Sequence, residues 1–235
     1  MCFSPKISAT LALIGACMTF IAYNHPVYRA KYFYVITGFY TIMELLQTIQ
    51  YSFVNQCNNP INVLLTEFAY LLVVVQPLLW NVIFLLRTKN PRDRKVFELA
   101  ITMCLVWIFW NTFARVAYNP NDKADKNLQH CSLYNNKTCT YRKNENSHLY
   151  WTWQTAHFRD FNANIFMYMC LWFIPALMVE ETRCSGILLV VSAVISFLIT
   201  VYTTGNLMEY PAIWCYISIP GILFTFTEIY FRHIH

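Results

Sequence analysis

The sequence predicts an all-α protein built as a bundle of seven transmembrane helices, and three observations support this fold class. The chain contains seven apolar segments close to the length of about 20 residues that a helix needs to cross a bilayer. Only 12% of its residues are charged, against about 25% in an ordinary soluble domain. Aromatic residues make up 17% of the chain, as is typical of proteins with many membrane interfaces. This composition leaves too little polar surface for a soluble domain.

The predicted spans follow one another along the chain, and most of the connectors between them are short and contain turn-forming residues. The spans are Ile7–Tyr23, Tyr32–Phe53, Ile61–Leu86, Val96–Tyr118, Phe158–Met178, Gly186–Tyr202 and Pro211–Tyr230. No internal repeat divides them. Residues 1–235 are therefore predicted to form a single membrane domain, and the lipid bilayer is its first predicted partner.

Composition and motifs also exclude several functional classes. The formal charge of +5 does not indicate a nucleic-acid partner, because the basic residues lie in short loops rather than in one run. The sequence contains no zinc-protease, serine-hydrolase or phosphate-binding glycine motif. Histidine pairs that could hold haem inside the membrane are also absent. We therefore expect no metal and no cofactor.

The distribution of lysine and arginine predicts the orientation of the bundle. Basic residues are concentrated in the connectors after the first, third and fifth spans and at the C-terminus. Short cytoplasmic loops carry such an excess, which places the C-terminus in the cytoplasm and the N-terminus outside. Lys6 and the basic residues of the long fourth connector count against this orientation.

The connector between the fourth and fifth spans, residues 119–150, is unusually long and polar. Loops of this length are usually functional or disordered. Because it contains two cysteines, we expect the loop to be crosslinked and partly ordered outside the cytoplasm, where it is a candidate surface for a protein partner. Asn136-Lys137-Thr138 is a glycosylation sequon, which makes Asn136 a candidate site on the same side.

Several cysteines fall on the predicted outer side, where oxidising conditions favour disulfides. Cys2, Cys57, Cys131 and Cys139 lie there, and Cys215 lies near the outer end of the last span. The first predicted pair is Cys131–Cys139, because a short loop closes easily. Cys2 would then pair with Cys57 or with Cys215. Sequence alone does not determine the connectivity.

A polar stripe in the second span is the first candidate site. Glu44 lies near the middle of this span, where a charged side chain is costly. Tyr40, Gln47 and Tyr51 share its helix face by their spacing, and Gln76 lies at similar depth in the third span. Together these residues predict a polar pocket at the midplane for a small ligand or for proton- or ion-linked transport. The alternative is that Glu44 is a hydrogen-bonded contact between helices.

A second cluster lies near the predicted outer face and contains Glu67, Arg115, His157 and Asp160. Arg115 lies deep enough to require a carboxylate partner, either Glu67 or Asp160. The favoured interpretation is ion pairing at the ends of the spans. The alternative is a lipid-modifying enzyme, in which His157 exchanges protons and Arg115 binds a headgroup phosphate. A third hypothesis is a structural or assembly protein of a viral or organelle membrane, without a site.

The opening residues Met1-Cys2-Phe3-Ser4 resemble the start of an uncharacterised family of multi-pass membrane proteins found in bacteria, algae and large DNA viruses. Residues 213–216 resemble the Trp-Cys-Phe motif of its seventh span, and residues 182–186 resemble its basic turn before the sixth. The long polar loop departs from the family pattern. The resemblance implies a seven-helix membrane fold without an established activity, and it also implies that Cys2 and Cys215 belong together.

Overall fold

A computed structural model of the protein describes residues 4–30, 32–116, 137–143, 147–153 and 165–234. Most of these residues are helical. The helices are α1 (Pro5–Asn24), α2 (Pro26–Ala30), α3 (Phe33–Gln50), α4 (Pro60–Arg87), α5 (Pro91–Val116), α6 (Ile165–Met178), α7 (Glu180–Ile199) and α8 (Tyr210–Ile234). Strands β1 (Cys139–Arg142) and β2 (Leu149–Thr152) form a two-stranded sheet.

Each predicted span overlaps one of the helices α1 and α3 to α8. Within the described residues, four stretches are long and apolar enough to cross a membrane: α1, α4, most of α5, and α7 with its extension to Thr204. Shorter apolar stretches lie in α6 and at the start of α8. The mostly helical fold with helices of membrane-spanning length is therefore confirmed, whereas the seven-span bundle and its orientation stay predictions.

Local sequence signals determine where several helices begin. Proline occupies the first position of α1, α4 and α5, where its missing N–H costs no helical hydrogen bond. Before α4, the side chain of Asn59 accepts a hydrogen bond of 3.0 Å from the backbone of Ile61. Asn90 does the same before α5, accepting from the backbone of Arg92 at 3.0 Å. These asparagines cap the amides that a helix start leaves unpaired.

The hairpin departs from the predicted all-α fold, and all but its last two residues lie within the connector 119–150. Its strands read Cys-Thr-Tyr-Arg and Leu-Tyr-Trp-Thr, which are rich in the β-branched and aromatic residues that favour strands. The rings of Tyr141 and Tyr150 stack at a centroid distance of 5.5 Å. Cross-strand aromatic pairs of this kind stabilise short hairpins. Strands of four residues are too short to give a periodic signal inside a polar loop.

The chain divides into two compact units. The first comprises Met1–Val54, Tyr141–Tyr150 and Val191–His235, and the second comprises Asn55–Thr140 and Trp151–Val190. Helices α1, α3 and α8 pack together in the first unit, and α4, α5 and α6 pack together in the second.

Small residues bring α1 and α3 close together in the first unit. The buried residues of α1 are Ser8, Ala12, Gly15, Met18 and Ala22. A Cβ atom at Gly15 would collide with the hydroxyl of Thr41, and one at Gly38 would contact the methyl group of Thr19 at 3.5 Å. Close approach through small residues is a common basis of helix association in membranes.

In the second unit, hydrogen bonds anchor the first strand of the hairpin to the start of α4. The side chain of Asn62 donates to the carbonyl of Thr140 at 3.2 Å and accepts from its amide at 3.0 Å. The hydroxyls of Thr66 and Thr140 lie 2.7 Å apart. The indole of Trp153 donates to the carbonyl of Thr66 at 2.9 Å. All these groups are buried, so the anchor is shielded from solvent.

A disulfide between Cys57 and Cys139 reinforces this anchor and corrects the predicted connectivity. It joins residues 82 positions apart. The predicted pair Cys131–Cys139 is therefore wrong, and so is Cys2–Cys57. Docking of the hairpin on α4 brings Cys139 to Cys57 and outweighs the ease of closing a short loop. Cys2 and Cys131 lie outside the described residues, and the pair Cys2–Cys215 stays a prediction.

Candidate functional site

The predicted stripe on α3 is buried in the first unit. Tyr40, Glu44, Gln47 and Tyr51 are all buried, and neither Glu44 nor Gln47 has any exposed surface. Their spacing of three or four residues places them on one face of the helix. Seven residues separate Glu44 from Tyr51, which corresponds to about 10 Å along the helix axis. The stripe therefore extends from the interior of α3 to its C-terminal end.

The central side chains of this stripe have unsatisfied polar atoms. Among the described residues, neither oxygen of Glu44 and neither polar atom of Gln47 has a hydrogen-bond partner. The buried hydroxyl of Ser8 on α1 lies close enough to interact with the Glu44 carboxyl, but outside hydrogen-bonding geometry. No described cationic side chain forms an ion pair with Glu44. Since proteins satisfy nearly all buried polar groups, these unpaired atoms make Glu44 and Gln47 a candidate site for a further group.

Gln76, which was predicted to share the pocket, belongs to the second unit. It is buried on α4, where its amide oxygen accepts a hydrogen bond from the hydroxyl of Tyr168 on α6. A pocket shared by Glu44 and Gln76 stays a prediction. The geometry of the first unit supports a site built from α3 and its own neighbours.

The hairpin and α8 add aromatic and basic groups at the Tyr51 end of the stripe. The ring of His148 lies 6.1 Å from the ring of Tyr51 and 6.0 Å from the ring of Tyr216. The guanidinium of Arg142 lies 5.2 Å from the Tyr51 ring centroid, which is a cation–π contact. Tyr51, His148 and Arg142 therefore form a polar cap over the end of α3.

Glu209 holds this cap in place from the turn that precedes α8. One of its carboxylate oxygens accepts a hydrogen bond of 2.8 Å from the backbone amide of His148. The other oxygen accepts from the side chain of Asn206 at 3.0 Å. The chain reaches this turn through a π-helical segment, Thr200–Thr204, and through Gly205, whose φ of 61° suits glycine. Burial raises the pKa of Glu209, and its hydrogen bonds oppose this rise.

No periodic pattern points to His148 or Glu209. His148 lies between the two strands of the hairpin and Glu209 lies in a short 3₁₀ helix, Leu207–Glu209. Neither falls on the polar face of a predicted span. The one sequence signal that could have pointed to this contact is Glu209 itself, a single acidic residue directly before the apolar helix α8. Their role depends on a tertiary contact between two segments that lie 61 positions apart.

We expect the stability of the protein to fall as the pH decreases from about 6.5 to about 4. Burial, assisted by the charge of Arg142, lowers the pKa of His148 from 6.5 to about 4. In this window the unfolded chain binds a proton that the folded chain excludes, so acid favours unfolding. The corresponding loss is about 3 kcal/mol at pH 4.

Thermal unfolding of the wild type and of His148→Gln, followed at several pH values, measures this effect. The variant has no titrating group at position 148 and should lose less stability in acid. Glu209, whose pKa is raised, contributes the opposite slope, but it does so in both proteins. Equal acid dependence in the two proteins would exclude His148 as the cause.

Two residues of the second predicted cluster, Arg115 and Glu67, form an ion pair. Arg115 on α5 donates to the carboxylate of Glu67 on α4, and its guanidinium lies 5.0 Å from the ring centroid of Tyr70. The side chains of Arg115 and Glu67 are 15% and 38% exposed. This pairing accounts for the Arg115 charge near the helix end without an enzymatic role.

Three further predicted residues, His157, Asp160 and Asn136, lie outside the described residues, and their roles stay predictions. The described part of the chain contains no group of three or more His, Cys, Asp or Glu side chains that could hold a metal ion. The stripe on α3 is the stronger site.

Comparisons with known proteins are consistent with these features. The profile of DUF5765, a family of unknown function, matches residues 6–235. The chain is also 27% identical over 231 residues to Uncharacterized protein R287 of Acanthamoeba polyphaga mimivirus, with 93% of this chain and 91% of that protein covered. No solved structure matches the chain.

These matches confirm the resemblance to an uncharacterised family that occurs in large DNA viruses. The matched region begins at residue 6, so the N-terminal motif stays outside it. Occurrence in bacteria and algae stays a prediction. Over nearly its whole length, the chain belongs to DUF5765, a family of unknown function.

Proposed function

We propose that this protein is an integral membrane protein that binds and passes protons, ions or a small solute through the buried site around Glu44. The observation that carries the proposal is the complete burial of Glu44 and Gln47 with their polar atoms unpaired among the described residues. The four apolar stretches of membrane-spanning length support the membrane location.

The proposal follows from the cost of burying a carboxylate. An isolated ion in an apolar interior is strongly unfavourable and is tolerated only when a proton or an opposite charge neutralises it. Among the described residues no cationic side chain pairs with Glu44, which favours a proton or a bound ion as the neutralising group. A site that accepts either a proton or another ligand is the basic requirement for coupled transport.

Asn62 provides a comparison within the same chain, because its buried amide has a purely structural role. Asn62 in the second unit is also fully buried, and its two amide atoms bind the backbone of Thr140 on both sides. Gln47 carries the same functional group at equal burial, yet neither of its amide atoms is paired among the described residues. This contrast argues against Glu44 and Gln47 being a simple contact between helices.

The cap at the end of α3 suggests the route to the site. Tyr51, His148 and Arg142 extend the polar stripe toward the hairpin, about 10 Å from Glu44 along the helix axis. In the predicted orientation this end faces the outside. A ligand would enter there and meet the cap before it reaches the acid.

We expect Glu44→Gln to abolish Glu44-dependent flux in liposomes that contain the purified protein. Glutamine keeps the size of the side chain but removes its proton and its charge. A pH-sensitive dye inside the vesicles reports proton movement after an imposed pH or salt gradient. Flux through the variant should fall to the level of protein-free vesicles.

Glu98→Gln is the matched control, because Glu98 is exposed on α5 and undergoes the same chemical change. This variant should retain wild-type flux. Equal flux in wild type, Glu44→Gln and Glu98→Gln would contradict the proposed function.

A further inference from the structure

We propose that the site around Glu44 binds one monovalent metal cation in exchange for a proton. The oxygen ligands would come from the Glu44 carboxylate, the Gln47 amide and the Ser8 hydroxyl. This inference rests on the proposed function and deepens it by naming the class of ion that the acid accepts.

The chemistry of the donors favours a hard cation. Carboxylate, amide carbonyl and hydroxyl oxygens are the ligands that hard cations prefer. Glu44 and Gln47 lie three residues apart on one face of α3, and Ser8 approaches Glu44 from α1. Transition metals prefer imidazole and thiolate ligands, and the described residues provide no metal-binding group of that kind.

Charge balance favours a monovalent ion. Glu44 contributes a single negative charge, so a monovalent cation leaves the buried site neutral. A divalent cation would leave a net positive charge in an apolar interior, at a high cost in solvation. Among the described residues, the other charged or titratable groups facing this region are Tyr40, one turn before Glu44 on α3, and Tyr51, His148, Arg142 and Glu209, which lie at the cap. Glu209 is the one carboxylate among them, and its two oxygens already accept hydrogen bonds from His148 and Asn206.

The cation and the proton exchange with each other because both bind the Glu44 carboxylate. The proton and the metal ion neutralise the same group, so each must leave before the other binds. Acid therefore weakens cation binding, by up to about tenfold for each unit of pH below the titration of the site. A site of this kind couples the movement of a cation to the movement of a proton.

Equilibrium binding of radioactive Na⁺ to the purified full chain in detergent tests the inference. We expect one saturable Na⁺ site per chain in the wild type, with an affinity that weakens as the pH is lowered. Glu44→Gln should remove this site, and Glu98→Gln should leave it unchanged. Gln47→Leu should weaken Na⁺ binding about tenfold, as expected for one lost ligand.

Ser8→Ala serves as a second, smaller change in case Gln47→Leu disturbs folding, and it should also weaken Na⁺ binding. The melting temperature without Na⁺ identifies a variant that has simply lost its structure.

Saturable binding that survives Glu44→Gln would overturn the inference. Stronger displacement of Na⁺ by Ca²⁺ than by K⁺ or Li⁺ would overturn the monovalent assignment. Binding of methylammonium without Na⁺ binding would replace the metal ion by an organic cation.

The binding and flux experiments separate this inference from the proposed function. Glu44-dependent proton flux without Na⁺ binding would contradict the inference and leave the function standing. Na⁺ binding that requires Glu44 without any flux would contradict the transport function and leave the cation site standing.

Discussion

Replacing Cys57 and Cys139 together by serine is expected to lower the free energy of unfolding by about 4 kcal/mol. The disulfide between them closes a loop across 82 positions, and a crosslink over a long loop restricts the unfolded chain strongly. It also holds the first strand of the hairpin against α4, where Asn62 binds Thr140. Loss of the crosslink should therefore weaken this anchor as well.

Denaturant unfolding in detergent, with and without a reducing agent, measures this effect. The wild type should respond to reduction, and the double serine variant should not. Cys184→Ser is the matched control, because Cys184 is an exposed free cysteine. A double serine variant that unfolds at the wild-type denaturant concentration would contradict the prediction.

Asn81→Ala is expected to destabilise the second unit by about 2 kcal/mol, because it leaves a buried carbonyl without a donor. Pro175 on α6 has no N–H and cannot donate to the carbonyl of Leu171, four residues earlier. The side chain of Asn81 on α4 donates to that carbonyl at 2.9 Å. A neighbouring helix thus satisfies the group that the proline frees, as is common for prolines in membrane helices.

A double-mutant cycle with Pro175→Ala tests this explanation. An alanine at position 175 restores the backbone donor to Leu171, so Asn81→Ala should cost clearly less in that background. Pro77→Ala is the matched control, because Pro77 frees the carbonyl of Val73 rather than that of Leu171. The carbonyl of residue 77, which accepts from Asn81 at 2.8 Å, is retained by alanine. The cost of Asn81→Ala should stay unchanged there. An equal cost in all three backgrounds would contradict the role of Asn81.

Helix positions and the central stripe could be predicted from the sequence because both depend on local pattern. Apolar runs predicted every helix except α2, with prolines and asparagines marking several of their ends. The spacing of Tyr40, Glu44, Gln47 and Tyr51 predicted one polar face. The structure shows that these four side chains are all buried. Periodicity determines which residues share a face, whatever they pack against.

The disulfide and the cap could not be predicted, because they depend on contacts between distant segments. Cys139 pairs with Cys57 through a hairpin whose strands are only four residues long. Glu209 reaches His148 across 61 positions through a π-helical segment and a short 3₁₀ turn. No local pattern encodes such a contact.

The reaction of the wild-type protein with dicyclohexylcarbodiimide, mapped by mass spectrometry, tests the central claim about Glu44 most directly. This apolar reagent modifies protonated carboxyl groups in apolar surroundings and is ineffective on ionised carboxylates in water. We expect modification at Glu44, faster reaction in acid, protection by Na⁺, and a loss of flux in proportion to labelling. An unmodified Glu44, or full flux after its modification, would contradict a functional acid at this position.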